Sequence, residues 1–249
     1  MSDRIDGDMA PSGCGLSARV SGTAPMPQIA LDHLVVACRS LDAGRIWCEA
    51  TFGVAPQPGG RHALMGTHNL LLSLASEHSP PAYLELIAID PEAPAPAQPR
   101  WFDLDDASLQ AAIATPRLVH WVARSDDVEA TVAALRGSGA DPGRIIAAER
   151  MTSHGMLRWR ITLPGDGRRP SAGAMPLWIQ WSGEHPSDAL PASGIAIESL
   201  EVGGITHELA AQLGSLARRA DSSSPLSAVL IGPRGRVTLT APASAPLSA

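Results

Sequence analysis

The chain has 249 residues, enough for a sizeable core in one large or two small domains, and 45% of it is hydrophobic. The formal charge of −6, with all 19 basic residues arginine and none clustered, excludes general affinity for nucleic acid. No apolar stretch approaches a membrane span, and Cys14, Cys38 and Cys48 are too few and too separated for a disulfide framework, so a cytoplasmic protein is expected.

Residues 1–28 are rich in Gly, Ser, Pro and Asp, lack the order of a signal peptide, and read as a disordered leader. A first unit follows over 29–90. Its opening strand, Ile29 to Ala37, carries His33, and Ser40 to Phe52 reads as a helix with Ser40 as N-cap and Gly53 as its stop. Arg61 to Met65, Asn69 to Leu74 and Ala82 to Ile89 are predicted strands, with Gly66 to Asn69 as the turn between the first two. Residues 91–116 form a proline-rich connector of extended character.

A second unit over 117–183 repeats the β-α-β-β-β order. Leu118 to Ala123 is a strand carrying His120, and Asp126 to Gly137 is a helix with Val128, Val132 and Leu135 at helical spacing. Ile145 to Thr152, Met156 to Leu163 and Met175 to Trp181 are strands, with Ser153 to Gly155 as the matching turn. Superposing His33 on His120 also superposes Val35 on Val122. A partial third unit over 184–240 comprises a strand at Ile195 to Val202, a helix at His207 to Arg219 and a closing hairpin, before a tail at 241–249.

A lone histidine in an apolar strand is usually part of the core, but here two recur, and Glu85 sits within the apolar run Tyr83 to Ile89. A buried carboxylate needs a cation. A metal ion meets that need, and so does an arginine such as Arg61, Arg150 or Arg158. Thr67, His68 and Asn69 could meet a ligand at a cavity mouth, with His62 and His68 as acid-base candidates, or serve only to make a turn. Arg158 and Arg160 alternate with Trp159, so the tryptophan should face opposite to both arginines. Arg158 is a further candidate ligand contact, with the alternation leaving open which face lines the cup.

The segments Leu31 to Val35, His62 to Asn69, Tyr83 to Leu86 and Gln180 to Pro186, in this order and with this duplication, resemble the glyoxalase-like proteins of the vicinal oxygen chelate superfamily. The resemblance implies an α+β fold in which paired β-α-β-β-β units form a cup-like mixed sheet. It implies a divalent metal (Ni, Zn, Mn or Fe) held by His33, Glu85, His120 and Gln180, with Glu85 also catalytic. Many members have a glutamate at the position it assigns to Gln180. The implied activity is that of a metal-dependent lyase, isomerase or dioxygenase acting on a small oxygen-bearing substrate. A metal-free binding or sequestering protein with the same cup is the alternative. The resemblance leaves room for a homodimer.

Overall fold

The computed structural model describes residues 27–74, 81–152 and 155–242. The leader before residue 27, the tail after residue 242 and most of the turn at Ser153 to Gly155 lie outside the described residues. Among the described residues no helix is long and apolar enough to cross a membrane.

The first unit contains β1 (Ile29–Ala37), α1 (Leu41–Phe52), β2 (Gln57–His62), β3 (Thr67–Ser73) and β4 (Tyr83–Ile89). The Ser40 side chain accepts from the Ala43 N–H and Gly53 ends α1 in the left-handed region, so both predicted helix signals operate. The connector carries α2 (Ala107–Ala112), and the second unit contains β5 (Arg117–Ser125), α3 (Val128–Gly137), β6 (Arg144–Thr152), β7 (Gly155–Leu163) and β8 (Leu177–Ser182).

These strands form one eight-stranded sheet in the order β2-β3-β4-β1-β5-β8-β7-β6. Within each unit the first strand pairs in parallel with the fourth, and the units join through antiparallel β1 and β5. In that central pairing Val35 lies opposite His120 and His33 opposite Val122, so the two units are related by a pseudo-twofold. Strands β2 and β6 approach one another across the opening, which nearly closes the cup.

Alternation along the strands divides the apolar residues between two cores. Leu34, Val36, Leu84, Trp121 and Trp178 face the helices and the second sheet. Val35, Ile87, Val122, Leu177 and Ile179 face into the cup.

The proline-rich stretch is not extended throughout. Trp101–Asp103 makes a helical turn, and Trp101, Phe102, Leu104, Leu109 and Ile113 fill part of the cup. This depends on unusual backbone: Phe102 and Asp103 have φ of 62° and 59°. Such conformations cost about 1–3 kcal/mol each and need compensation. The buried Arg169 guanidinium supplies some of it, donating to Asp103 Oδ2 at 2.8 Å and to the Val119 carbonyl at 3.1 Å.

The third part has β9 (Ala196–Val202), α4 (His207–Leu213), β10 (Arg218–Arg219), β11 (Leu226–Gly232) and β12 (Gly235–Thr240), in a sheet ordered β10-β9-β11-β12. The predicted helix to Arg219 stops at Leu213, because Gly214 leaves helical geometry at φ 55° and the chain returns as β10.

Candidate functional site

The polar centre of the cup begins at Asp32 and His33 on β1. A register irregularity between Leu31 and His33 interrupts the pairing with β5, and both side chains are buried. Asp32 Oδ1 accepts from His33 Nδ1 at 2.6 Å, while Oδ2 accepts from His185 Nε2 at 3.0 Å and from Trp181 Nε1 at 2.9 Å. Burial alone would raise the Asp32 pKa, but hydrogen bonds from His185 and His33 hold it well below the usual carboxylate range. His185 is fixed by its own loop, where Nδ1 accepts from the Ser187 N–H at 3.2 Å and leaves the Nε2 proton for Asp32.

With Nδ1 committed to Asp32, the His33 ring turns its Nε2 toward Glu85 Oε2, 3.7 Å away. Tyr83 stacks on the same ring with centroids 4.5 Å apart. Glu85 lies on β4 opposite Val35, and its Oε1 accepts from Asn69 Nδ2 at 2.5 Å. His62, at the end of β2, brings Nε2 to 3.9 Å from that oxygen and shares Nδ1 with Thr67 Oγ1 at 3.0 Å. Asn69 Nδ2 also faces His62 Nε2 at 3.4 Å, which places the ring proton on Nδ1, toward Thr67. Burial, and then the nearby Arg150 charge, lower the His62 pKa to about 3, so the ring is neutral at physiological pH.

Thr67 and Asn69 therefore lie in β3 on the cup side, and the turn falls earlier, over residues 63–66. His68 points to the other side, with Nδ1 4.0 Å from Asp90 Oδ1. Arg158 also points outward, paired with Glu149 at 3.0 Å, while Trp159 faces the cup. Arg61 pairs with Asp90 and Glu92, so neither it nor Arg158 neutralises Glu85.

His120 is fully buried in the cup, 5.2 Å between ring centroids from Phe102, and among the described residues neither ring nitrogen has a hydrogen-bond partner. Burial, and then Arg169, push its pKa well below the ordinary histidine value. Gln180 is elsewhere. It donates to the Asp126 carbonyl at 2.6 Å and accepts from the Val128 N–H at 3.3 Å, bracing the start of α3 on the opposite side of the sheet from the cup. The register explains why. Val35 opposes Glu85 in the first unit, and its counterpart Val122 opposes Leu177 in the second. The second-unit equivalent of Glu85 is thus Leu177, not Gln180.

Two cavities flank the polar cluster. One of ≈ 660 Å³ is lined by His62, Met65, Trp101, Arg150, Trp159 and Ile161 among others. The other, of ≈ 340 Å³, is lined by Leu71, Arg150, Leu157, His185 and the prolines after it. Arg150 belongs to both walls, and the Asn69 amide it meets also donates to Glu85. Among the described residues no group of three His, Cys, Asp or Glu side chains is already drawn together for a metal ion.

Sequence reasoning identified His33 and Glu85 but passed over Asp32, the placement of His185, and Gly59 and Gly60. A Cβ on Gly59 would collide with the Asn69 amide, and one on Gly60 with the Arg150 guanidinium. The adjacent glycines in β2 were the available signal.

The chain is similar to several solved structures. A hypothetical protein from Staphylococcus aureus is similar over 86% of both chains, with TM-score 0.51 and 14% identity. A methylmalonyl-CoA epimerase from Streptomyces coelicolor in complex with 2-nitronate-propionyl-CoA matches 66% of this chain and 99% of its own, with TM-score 0.40 and 20% identity. The methylmalonyl-CoA epimerase from Mycobacterium tuberculosis matches 67% and 95%, with TM-score 0.37 and 18% identity. No curated protein matches the chain. The family model described as a glyoxalase-like domain matches residues 31–216, most of the sequence. With that match and the paired-unit cup, the chain belongs to the glyoxalase-like domain family.

Proposed function

We propose that this protein is a proton-transferring enzyme, a lyase or isomerase acting on a small oxygen-bearing substrate, with Glu85 as its base. The observation that carries this reading is the convergence of the His33 and His62 Nε2 atoms on one buried carboxylate, 3.7 and 3.9 Å away. His62, neutral and with its proton on Nδ1, turns a lone pair toward this anion, which is unfavourable unless a cation lies between them.

The donor set fits a divalent ion, with His33, His62 and Glu85 as the residues that would hold it. Both Nδ1 atoms are already tied, to Asp32 and Thr67, as the outer partners of metal-binding imidazoles usually are. When bound, a divalent ion supplies Lewis-acid stabilisation of negative charge on a substrate oxygen. His120 faces Phe102 and Gln180 braces α3, so neither joins this set.

The chain's own residues divide the remaining work. Asp32 holds His33 Nδ1, and Asn69 occupies Glu85 Oε1, so Oε2 is the oxygen that would hold the ion and, freed from it by the incoming substrate, take a proton. That oxygen removes a carbon-bound proton beside a carbonyl, the electron pair moves onto the carbonyl oxygen, and the same carboxyl returns the proton. Trp101 and Phe102 exclude water from the floor of the cup.

Incubation with a panel of small 2-oxo and 2-hydroxy acids in deuterium oxide tests this by NMR. Wild type should incorporate deuterium at carbon in at least one of them, and Glu85→Gln should not. Binding without exchange in wild type would instead favour a metal-free binding protein. One observation already supports that second reading: apolar Leu177 stands at the second-unit equivalent of Glu85.

A further inference from the structure

We infer that Arg150 is the receptor for a carboxylate on the ligand, and that the ligand's apolar body fills the ≈ 660 Å³ cavity beside it. The inference deepens the proton-transfer reading by naming a substrate class: monocarboxylic acids with an aromatic or branched aliphatic body.

Arg150 projects from β6 into the cup and packs on the backbone of Gly60. Its Nε is buried and, among the described residues, has no hydrogen-bond partner. Its recorded hydrogen bond, from Nη1 to Asn69 Oδ1, is 3.5 Å long, at the limit of such a contact. It forms no ion pair among the described residues, whereas Arg61, Arg158 and Arg169 each meet a carboxylate. A partly desolvated guanidinium without a counter-ion is costly, and its planar fork matches a carboxylate in two-point contact.

The surroundings fix the rest of the ligand. Trp101, Trp159, Met65 and Ile161 give the larger cavity an apolar, aromatic wall, and its volume suits a small organic molecule. Arg150 also lines the smaller cavity, so it forms part of the partition between the two. The Asn69 amide links it to the reacting group, with Oδ1 toward Arg150 and Nδ2 on Glu85 Oε1. An anion that draws the guanidinium toward the larger cavity therefore breaks only a weak contact.

Calorimetric titration with phenylacetate, its neutral isostere phenylacetamide, and phenyl phosphate tests the assignment. Wild type should bind phenylacetate at least about ten-fold more tightly than the amide, the size of a charge-assisted hydrogen bond, and more tightly than the phosphate. Arg150→Met should abolish the preference for the acid, and Arg150→Lys should restore part of it, with melting temperatures confirming that both variants fold. Equal binding of acid and amide, binding of neither, preference for the phosphate, or a preference that survives in Arg150→Met would each overturn the assignment. The preference should persist in Glu85→Gln. Loss of deuterium exchange with the acid preference intact concerns Glu85 alone, and exchange without acid preference rejects the Arg150 assignment alone.

Discussion

Asp32 Oδ1 accepts the His33 Nδ1 proton at 2.6 Å, and this one bond decides which imidazole nitrogen faces Glu85. Because Oδ2 already accepts from His185 and Trp181, an amide in its place would set an NH₂ group against at least one N–H donor. Asp32→Asn should cost about 1–3 kcal/mol in denaturant unfolding. It should also weaken divalent-ion binding by roughly 10–100-fold, the usual effect of losing an outer partner of a ligating histidine. Unchanged affinity with lowered stability would make Asp32 purely structural.

The buried histidines predict how stability depends on pH. The folded-state pKa of His62 lies near 3, below its unfolded value, and that of His120 is also depressed. The unfolded chain therefore binds more protons, so the stability these groups confer is complete above about pH 6.5 and is lost as pH falls toward their folded values. Each contributes up to about 1.4 kcal/mol per pH unit in that window. Unfolding curves of His120→Phe between pH 7 and 5 should show a shallower loss than wild type; an identical slope would remove His120 from the titration.

Leu177 and Gln180 can be exchanged as tests of the pseudo-twofold. Leu177→Glu places a carboxylate at the counterpart of Glu85, within an apolar cluster. It should lower stability without metal by about 2–4 kcal/mol and recover much of this when Zn²⁺ or Ni²⁺ is added. Gln180→Ala should cost about 1 kcal/mol through the start of α3 and leave metal affinity unchanged. A drop in metal affinity for Gln180→Ala would reverse this placement.

At Gly60 a methyl group would collide with Arg150 Nη1, the far end of a flexible side chain. Gly60→Ala should therefore fold normally, with a loss below about 1 kcal/mol, yet weaken phenylacetate binding as Arg150 is displaced. Gly59→Ala meets the Asn69 amide and backbone instead and should be the more destabilising of the two.

Much of the fold was legible in the sequence, because local signals agree with tertiary ones. The β1 run, the Ser40 cap and the Gly53 stop bound their elements as read. The site was legible only in part. His33 and Glu85 stand out as polar residues in apolar strands, whereas the position of Asp32 depends on a register irregularity that no periodicity announces. Starting β3 at Thr67 rather than Asn69 turned three supposed turn residues into strand residues, two facing the cup and one away. Gln180 was misplaced because neighbouring motifs suggested an equivalence that only the β5–β8 register could correct. The connector concealed its role because Trp101 and Phe102 reach the cup through left-handed backbone, not through a regular element.

The most direct test of the His33, His62 and Glu85 cluster is the melting temperature of chelator-treated protein with and without saturating Ni²⁺ or Zn²⁺. Wild type should be stabilised by several degrees, as binding at about 100 times Kd contributes about 2.7 kcal/mol. The shift should vanish in Glu85→Gln and His62→Ala and persist in Gln180→Ala. A wild-type protein that no divalent ion stabilises, or a shift that survives in Glu85→Gln, would contradict the account.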